Sequence, residues 1–494
     1  MIVKFIVPMP SAHKATITLC MIVKNEAANL ENCLGPIAHL FDEIVIVDTG
    51  STDHTREIAR QFTDIVPDFP WCDDFSAARN ESLRHAQGDW IFWLDADDRI
   101  PDHQIKKLAQ LLKGLGQAKR AYQMITVCRS QFECDGVRHL THTRLFRRDP
   151  RIQWQGRVHE QLRPEFRELG IEVRSHPLRI EHGGYADGPL NLKKAQRDIR
   201  LLRLDFATDP ENPSTILHLA MAYARVSNYL EGRKHLLTLI ERETPRQQEW
   251  LVRAYELIME FSLKLGDLQG ALAVSERGEA AFPDDISLLY MRAQVLFEID
   301  DFNTCADLLL RIRKLPSPRA FHGGKGQIQS KWVPIILGDC WRHLGKYKQA
   351  IELLERSIQK HPGEVRMMYS LGCCYLAAGQ RQSLQNLRKK MEPVPQGDVF
   401  SLLLYIQDRL HHRELESLDE WFEKLIHLAP LMPYPRLLRV EYLRQTNVKL
   451  VDYLAACRDA LRLSPNHPVL REQIGKIETI LAEHSTADTT ANLR

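Results

Sequence analysis

At 494 residues the chain exceeds the usual size of one domain and implies roughly two to four units with ample core. Lys and Arg total 66 against 64 Asp and Glu, and no basic run exceeds pairs such as Arg147-Arg148 and Lys389-Lys390. Bulk charge therefore offers no grip on a polyanion, and no nucleic-acid partner is expected. The ten cysteines form no Cys-x-x-Cys, Met1 to His13 lacks a cleavable leader pattern, and no apolar run approaches about 18 residues, so a cytoplasmic protein with free thiols and no transmembrane segment is expected.

The first predicted strand is Ile17 to Val23, ending in Lys24-Asn25-Glu26. A helical spacing follows in Leu30, Cys33, Leu34 and Ile37. Ile44-Val45-Ile46-Val47 forms a second apolar strand ending in Asp48, and Thr49 to Asp53 carries turn chemistry that caps a helix through Ile58 and Phe62. After Gly88, the run Trp90-Ile91-Phe92-Trp93-Leu94 gives way abruptly to Asp95, Asp97 and Asp98. A short continuous apolar run is what a strand covered on both faces requires. Strand, helix, strand, helix, strand predicts a parallel sheet, with Asp48 and the Asp95/Asp97 pair leaving the same edge. Ligands bind at that edge in open α/β sheets, and carboxylates one residue apart suit a hard divalent cation shared with phosphate oxygens. Neither Gly-x-Gly-x-x-Gly nor a Walker loop follows the first strand, so a metal ion is expected to hold the phosphates.

Met21-Ile22-Val23-Lys24-Asn25-Glu26, Val47-Asp48-Thr49-Gly50-Ser51-Thr52-Asp53, Ala78-Arg79-Asn80-Glu81 and Gly88 to Asp98 resemble, in order and spacing, an inverting family 2 glycosyltransferase of the GT-A fold. The resemblance implies that Lys24, Asn25, Glu26 and Asp48 hold the donor nucleotide's base, usually uracil, and that Arg79 and Asn80 lie near base or diphosphate. It further implies that Asp95 bonds the ribose and that Asp97 binds Mn²⁺ or Mg²⁺, with Asp98 behind them.

Ala121 to Cys128 and Thr143 to Arg147 read as further strands. The order Arg144-Leu145-Phe146-Arg147, Val158-His159-Glu160 and His182-Gly183-Gly184-Tyr185 is similar to the branch of the family that includes lipopolysaccharide-core sugar transferases. In-line displacement at an anomeric carbon calls for a carboxylate to take the acceptor proton, which makes Glu160 the expected base, with His159 to orient it or the acceptor. By the resemblance, His182 completes the metal site. The usual acidic pair of the family is here Glu160-Gln161.

Beyond about Lys193 helical patterns dominate. Gly345 and Gly379 lie 34 residues apart, as do Gly266 and Asp300, which resembles the tetratricopeptide period; weaker units surround Leu219 to Ala222, Leu402 to Leu428 and Leu454 to Leu463. The expected fold is thus an α/β GT-A nucleotide-sugar-binding domain over residues 1–192, followed by an all-α tetratricopeptide-like solenoid over 193–484 and a flexible tail at 485–494. The Gly-rich stretch at 322–326 reads as an insertion between repeats, with a substrate-contact role left open. The expected activity is metal-dependent transfer of a sugar from a nucleotide donor, UDP by resemblance, to a hydroxyl or thiol on a peptide, protein or saccharide acceptor. The helical half is expected to bind the acceptor or a second subunit, as in a homodimer. The alternatives are a repeat scaffold with an inactive GT-A domain, and a sugar nucleotidyltransferase, which would need a basic Gly-rich loop where Lys24-Asn25-Glu26 stands.

Overall fold

A computed structural model describes residues 15–129, 137–183, 188–241, 248–316, 327–446, 448–464 and 468–491. The chain divides into two compact units, Met1–His235 and Leu236–Arg494.

The first unit is built on a seven-stranded sheet. Its strands are β1 (Ile17–Val23), β2 (Glu43–Asp48), β3 (Trp90–Trp93), β4 (Asp98–Arg99), β5 (Arg120–Arg129), β6 (Val137–Arg147) and β9 (Glu172–His182), in the order β2-β1-β3-β6-β5-β9-β4. β1 pairs in parallel with both β2 and β3, as the alternating strand and helix pattern predicts. β6 and β4 run antiparallel to their neighbours, and β5 pairs in parallel with β9. β7 (Gln153–Gln155) and β8 (Gln161–Arg163) form a separate hairpin.

The apolar run at β3 is continuous because each face meets a different core. Trp90 and Phe92 pack with Leu19 of β1 and with Leu30, Leu34, Leu108 and Leu112 of helices α1 (Ala27–Leu34) and α4 (Asp102–Lys113). Ile91 and Trp93 pack on the opposite side with Phe146, Trp154 and Phe166. Burying side chains of this size contributes roughly 1.5–3 kcal/mol each, which anchors the strand whose end carries the acidic cluster. Gly88 admits no side chain where the chain enters β3: a Cβ there would lie 2.6 Å from Thr18 Oγ1 and 2.7 Å from the Thr18 backbone nitrogen.

Two short helices, α2 (Thr55–Ala59) and α3 (Phe75–His85), complete the α/β part, and α5 (Gly188–Thr208) and α6 (Pro213–Arg225) follow. Sequence periodicity assigns the helices after residue 192 to the repeats; the structure groups those up to His235 with the sheet. Their apolar faces pack on the β7–β8 turn: Leu201, Leu202, Leu219 and Tyr223 enclose Val158, with Trp71 and Phe75 alongside.

The second unit is all helical among its described residues. Antiparallel hairpins succeed one another, such as Ile286–Glu298 with Phe302–Lys314, Val333–His343 with Tyr347–Lys360, and Val365–Ala377 with Arg381–Met391. The 34-residue period has a backbone cause. Gly266, Asp300, Gly345 and Gly379 all turn between helices with φ of 75°, 62°, 71° and 69°. Gly338 and Gly372, also one period apart, sit where a Cβ would meet Leu354 and Leu404, so a small residue recurs where helices cross. The last helix, Pro468–Ala491, runs through most of the stretch expected to be a tail, for its C-terminal part holds neither Gly nor Pro to stop it. The Gly-rich stretch at 322–326 and Tyr185 lie outside the described residues.

Candidate functional site

A cavity of about 1330 Å³ opens at the C-terminal ends of β1 and β3. Its carboxylate end is made by one strand pairing. β4 lies antiparallel to β9 with Asp98 opposite His182, which carries the imidazole 84 residues along the chain to the acidic turn. His182 Nδ1 lies 2.9 Å from Asp98 Oδ1 and 3.4 Å from Asp97 Oδ1. One ligand atom from each of Asp95, Asp97, Asp98 and His182 falls within 4.8 Å of the others. Oxygen donors with one imidazole suit Mn²⁺ or Mg²⁺, Mn²⁺ the better for the nitrogen.

The protein partly neutralises this cluster itself. Arg144, fully buried on β6, donates to Asp98 Oδ2 at 2.8 Å and lies 3.9 Å over the Trp93 ring. Asp98 Oδ2 also accepts the Asp95 backbone N–H at 2.9 Å, so that carboxylate shapes the turn. Burial opposes ionisation of Asp95, but Arg79 and Arg144 hold it well below the usual carboxylate range. Among the described residues Asp97 has no such partner beyond His182. Burial, with Asp95, Asp98 and Glu26 adding repulsion, pushes it up to about 6. His182 is shifted the other way from what burial alone would do: its bond to Asp98 and the surrounding carboxylates raise it. A site that raises both groups is short of positive charge, which a bound divalent cation would supply.

Arg79 connects the two sides of the cavity. Its guanidinium, on α3, is wedged between the rings of Trp93 at 4.8 Å and Trp154 at 5.0 Å. Nη2 donates to Asp95 Oδ1 at 2.8 Å and Nε to Glu160 Oε1 at 2.5 Å. Glu160 stands at the end of the tight β7–β8 turn, where Gly156 and His159 take φ of 99° and 56°. The His159 ring stacks on His218 of α6 at 4.4 Å. Arg157 in the same turn donates its backbone N–H to Asp205 of α5 at 2.9 Å. The helices after residue 188 thus hold the turn that presents Glu160.

Of the residues singled out from sequence, Lys24, Asn25, Glu26, Arg79, Asp95, Asp97, His159, Glu160 and His182 line this one cavity. Asn25, at φ 55°, also accepts the Thr52 backbone N–H at 2.7 Å through Oδ1. Asp48 and Asn80 are placed otherwise. Asp48 is buried, its Oδ1 accepting from the Gly50 and Ser51 backbones and from Arg56 Nε, each at 2.9 Å. Asn80 clamps Trp154 through both backbone groups, at 2.9 and 2.8 Å. Sequence reading did not single out Trp93, Trp154, Arg197, Asp198 or Arg225 as site residues. The indoles read as core, and the three helical residues carry no signature beyond ordinary amphipathic charge.

Residues 18–160 match the Glycosyl transferase family 2 profile. A TPR repeat-containing protein of Synechococcus elongatus is 30% identical over 293 residues, 56% of this chain and 69% of that one. The glycosyltransferase SunS of Bacillus subtilis, prophage-derived, is 30% identical over 227 residues, 44% of this chain and 52% of SunS. The N-terminal part of the chain carries a family 2 glycosyltransferase domain. The lipopolysaccharide core biosynthesis glycosyltransferase LpsC of Rhizobium meliloti is similar to this chain at 29% identity over 164 residues, 31% of this chain and 58% of LpsC. The match thus spans little more than half of either named glycosyltransferase. In this chain the profile ends at Glu160, so His182 and the helices that close the cavity lie beyond it. No helix among its described residues is long and apolar enough to cross a membrane.

Proposed function

We propose that the chain transfers a sugar from a nucleotide donor, UDP-linked, to a hydroxyl or thiol acceptor with inversion at the anomeric carbon. The observation that carries this reading is the bridge of Arg79 between Asp95, beside the cation cluster, and Glu160 across the same cavity. At about 1330 Å³ the cavity exceeds the usual range for a single ligand and has room for donor and acceptor together.

Asp97 and His182 would hold the divalent ion, Asp95 would take the donor side, and Asp98 with Arg144 would keep the turn in shape. The ion, when bound, offsets charge on the departing diphosphate. Glu160 takes the proton from the acceptor oxygen or sulfur as that atom attacks the anomeric carbon from the face opposite the leaving group. Arg79 fixes Glu160 in direction, and the flanking indoles exclude water from that pair. The aromatic and polar lining accommodates a saccharide or a peptide acceptor.

Release of UDP from UDP-sugars in the presence of Mn²⁺, with the anomeric configuration of the product followed by NMR, tests the reading. Wild-type turnover absent in Asp97→Asn and Glu160→Gln supports it; retention of configuration or an indifference to Asp97 sinks it.

A further inference from the structure

The cavity wall away from the carboxylates has the opposite character. α5 and α6 present Lys194, Arg197 and Arg225 to it, beside the rings of Trp71 and Phe75. Asp198 is buried beneath the arginines at 3% exposure. It accepts from Arg197 Nε and Nη2 at 3.1 and 2.8 Å, and from Arg225 Nη2. One carboxylate therefore serves two guanidiniums, which leaves the group net positive before Lys194 is counted. Both arginine side chains stay open, at 39% and 41% exposure. Arg197 rests on Phe75 at 4.9 Å, and Phe75 meets Trp71 edge to face at 4.7 Å.

A guanidinium carries five N–H donors in a planar fork. Asp198 engages some of them, and the rest are held in place with much of their side-chain entropy already lost, which is the condition for tight recognition of a second, planar or tetrahedral anion. A purely structural role would need one arginine to neutralise Asp198; the second goes unexplained by it. The group also stands near the chemistry, since the charges of Asp198, Arg225 and Arg197 all act on His159, the residue preceding Glu160.

We infer that Arg197 and Arg225, fixed by Asp198, form an acceptor subsite that binds a carboxylate or phosphate carried by the acceptor, whose ring or apolar surface lies on Trp71 and Phe75. The inference rests on the proposed reading only in taking the Glu160 side as the acceptor side.

Thermal unfolding in the presence of glucuronate, glucose 6-phosphate and glucose tests it, with UDP and Mg²⁺ run in parallel. The two anionic sugars should raise the midpoint by about 3–6 °C once about tenfold above their Kd, and glucose should not. Arg197→Gln and Arg225→Gln, each measured against its own midpoint, should lose that shift; both positions are partly exposed, and glutamine keeps a donor for Asp198. Glucuronate outdoing the phosphate assigns a carboxylate, and the reverse a phosphate. Glucose matching the anionic sugars, no shift with any of them, or an undiminished shift in both variants overturns the subsite. Absence of a UDP shift alongside intact anionic-sugar shifts supports the subsite and refutes the UDP donor instead.

Discussion

Arg79 is the single side chain on which most of the site converges, and Arg79→Met should show it. Methionine fills the slot between Trp93 and Trp154 but leaves Asp95 and Glu160, with side-chain exposures of 29% and 13%, without their shared cation. Removing one partner of a buried ion pair typically costs about 3–5 kcal/mol, because the other charge stays desolvated and unpaired. At about 2–4 °C per kcal/mol for a unit of this size, the expected fall in midpoint is about 6–20 °C. Much of that loss is the unpaired Glu160, so it should be recovered in part by Glu160→Gln in the same chain. The double-mutant cycle, read by thermal unfolding followed through tryptophan fluorescence, should give a coupling of about 1–3 kcal/mol. Additive effects, or an Arg79→Met protein within about 1 kcal/mol of wild type, would refute the claim that Arg79 bridges the two carboxylates.

Asp97 offers a test with the opposite sign. Its folded pKa of about 6 lies above the ordinary 3.8, so the folded state binds more protons and stability falls as pH rises from about 4 through 6. Asp97→Asn should remove that fall and stabilise the metal-free protein above pH 7 by up to about 3 kcal/mol, while abolishing the stabilisation Mn²⁺ confers on wild type; a variant that still responds to Mn²⁺ contradicts the ligand assignment. Glu160→Gln should keep UDP affinity within about threefold of wild type, measured by calorimetry, yet lose at least about a hundredfold in turnover. Gly88→Ala should cost about 3 kcal/mol in urea unfolding, since the new methyl meets the Thr18 backbone nitrogen as well as its hydroxyl, and the backbone cannot swing aside.

How much of this was legible beforehand follows from how local each signal is. The β1–β2–β3 series, the acidic turn and the 34-residue period are written in contiguous residues: apolar runs of strand length, a turn glycine before β3, and left-handed residues between helices. A one-dimensional pattern suffices because strand burial and αL turns are near-local properties. Asp48 and Asn80 show the limit of that reading. Their residue types suit a ligand, and what the chain alone does not display is that Gly50 and Ser51 donate to one oxygen of Asp48 while Asn80 binds the Trp154 backbone.

The sequence by itself determined the order of elements, the acidic end of β3 and the repeat half, because each is set by spacing within a few turns of chain. Only the tertiary structure decided what stands opposite those carboxylates. The pairing of β4 with β9 brings His182 to Asp97 and Asp98, burial of Arg79 between two indoles ties Asp95 to Glu160, and the packing of α5 and α6 against the β7–β8 turn adds Arg197, Asp198 and Arg225 to the cavity. Those contacts join residues far apart in the chain, and long-range pairing depends on which apolar faces bury one another, a property of the folded whole that no local pattern carries.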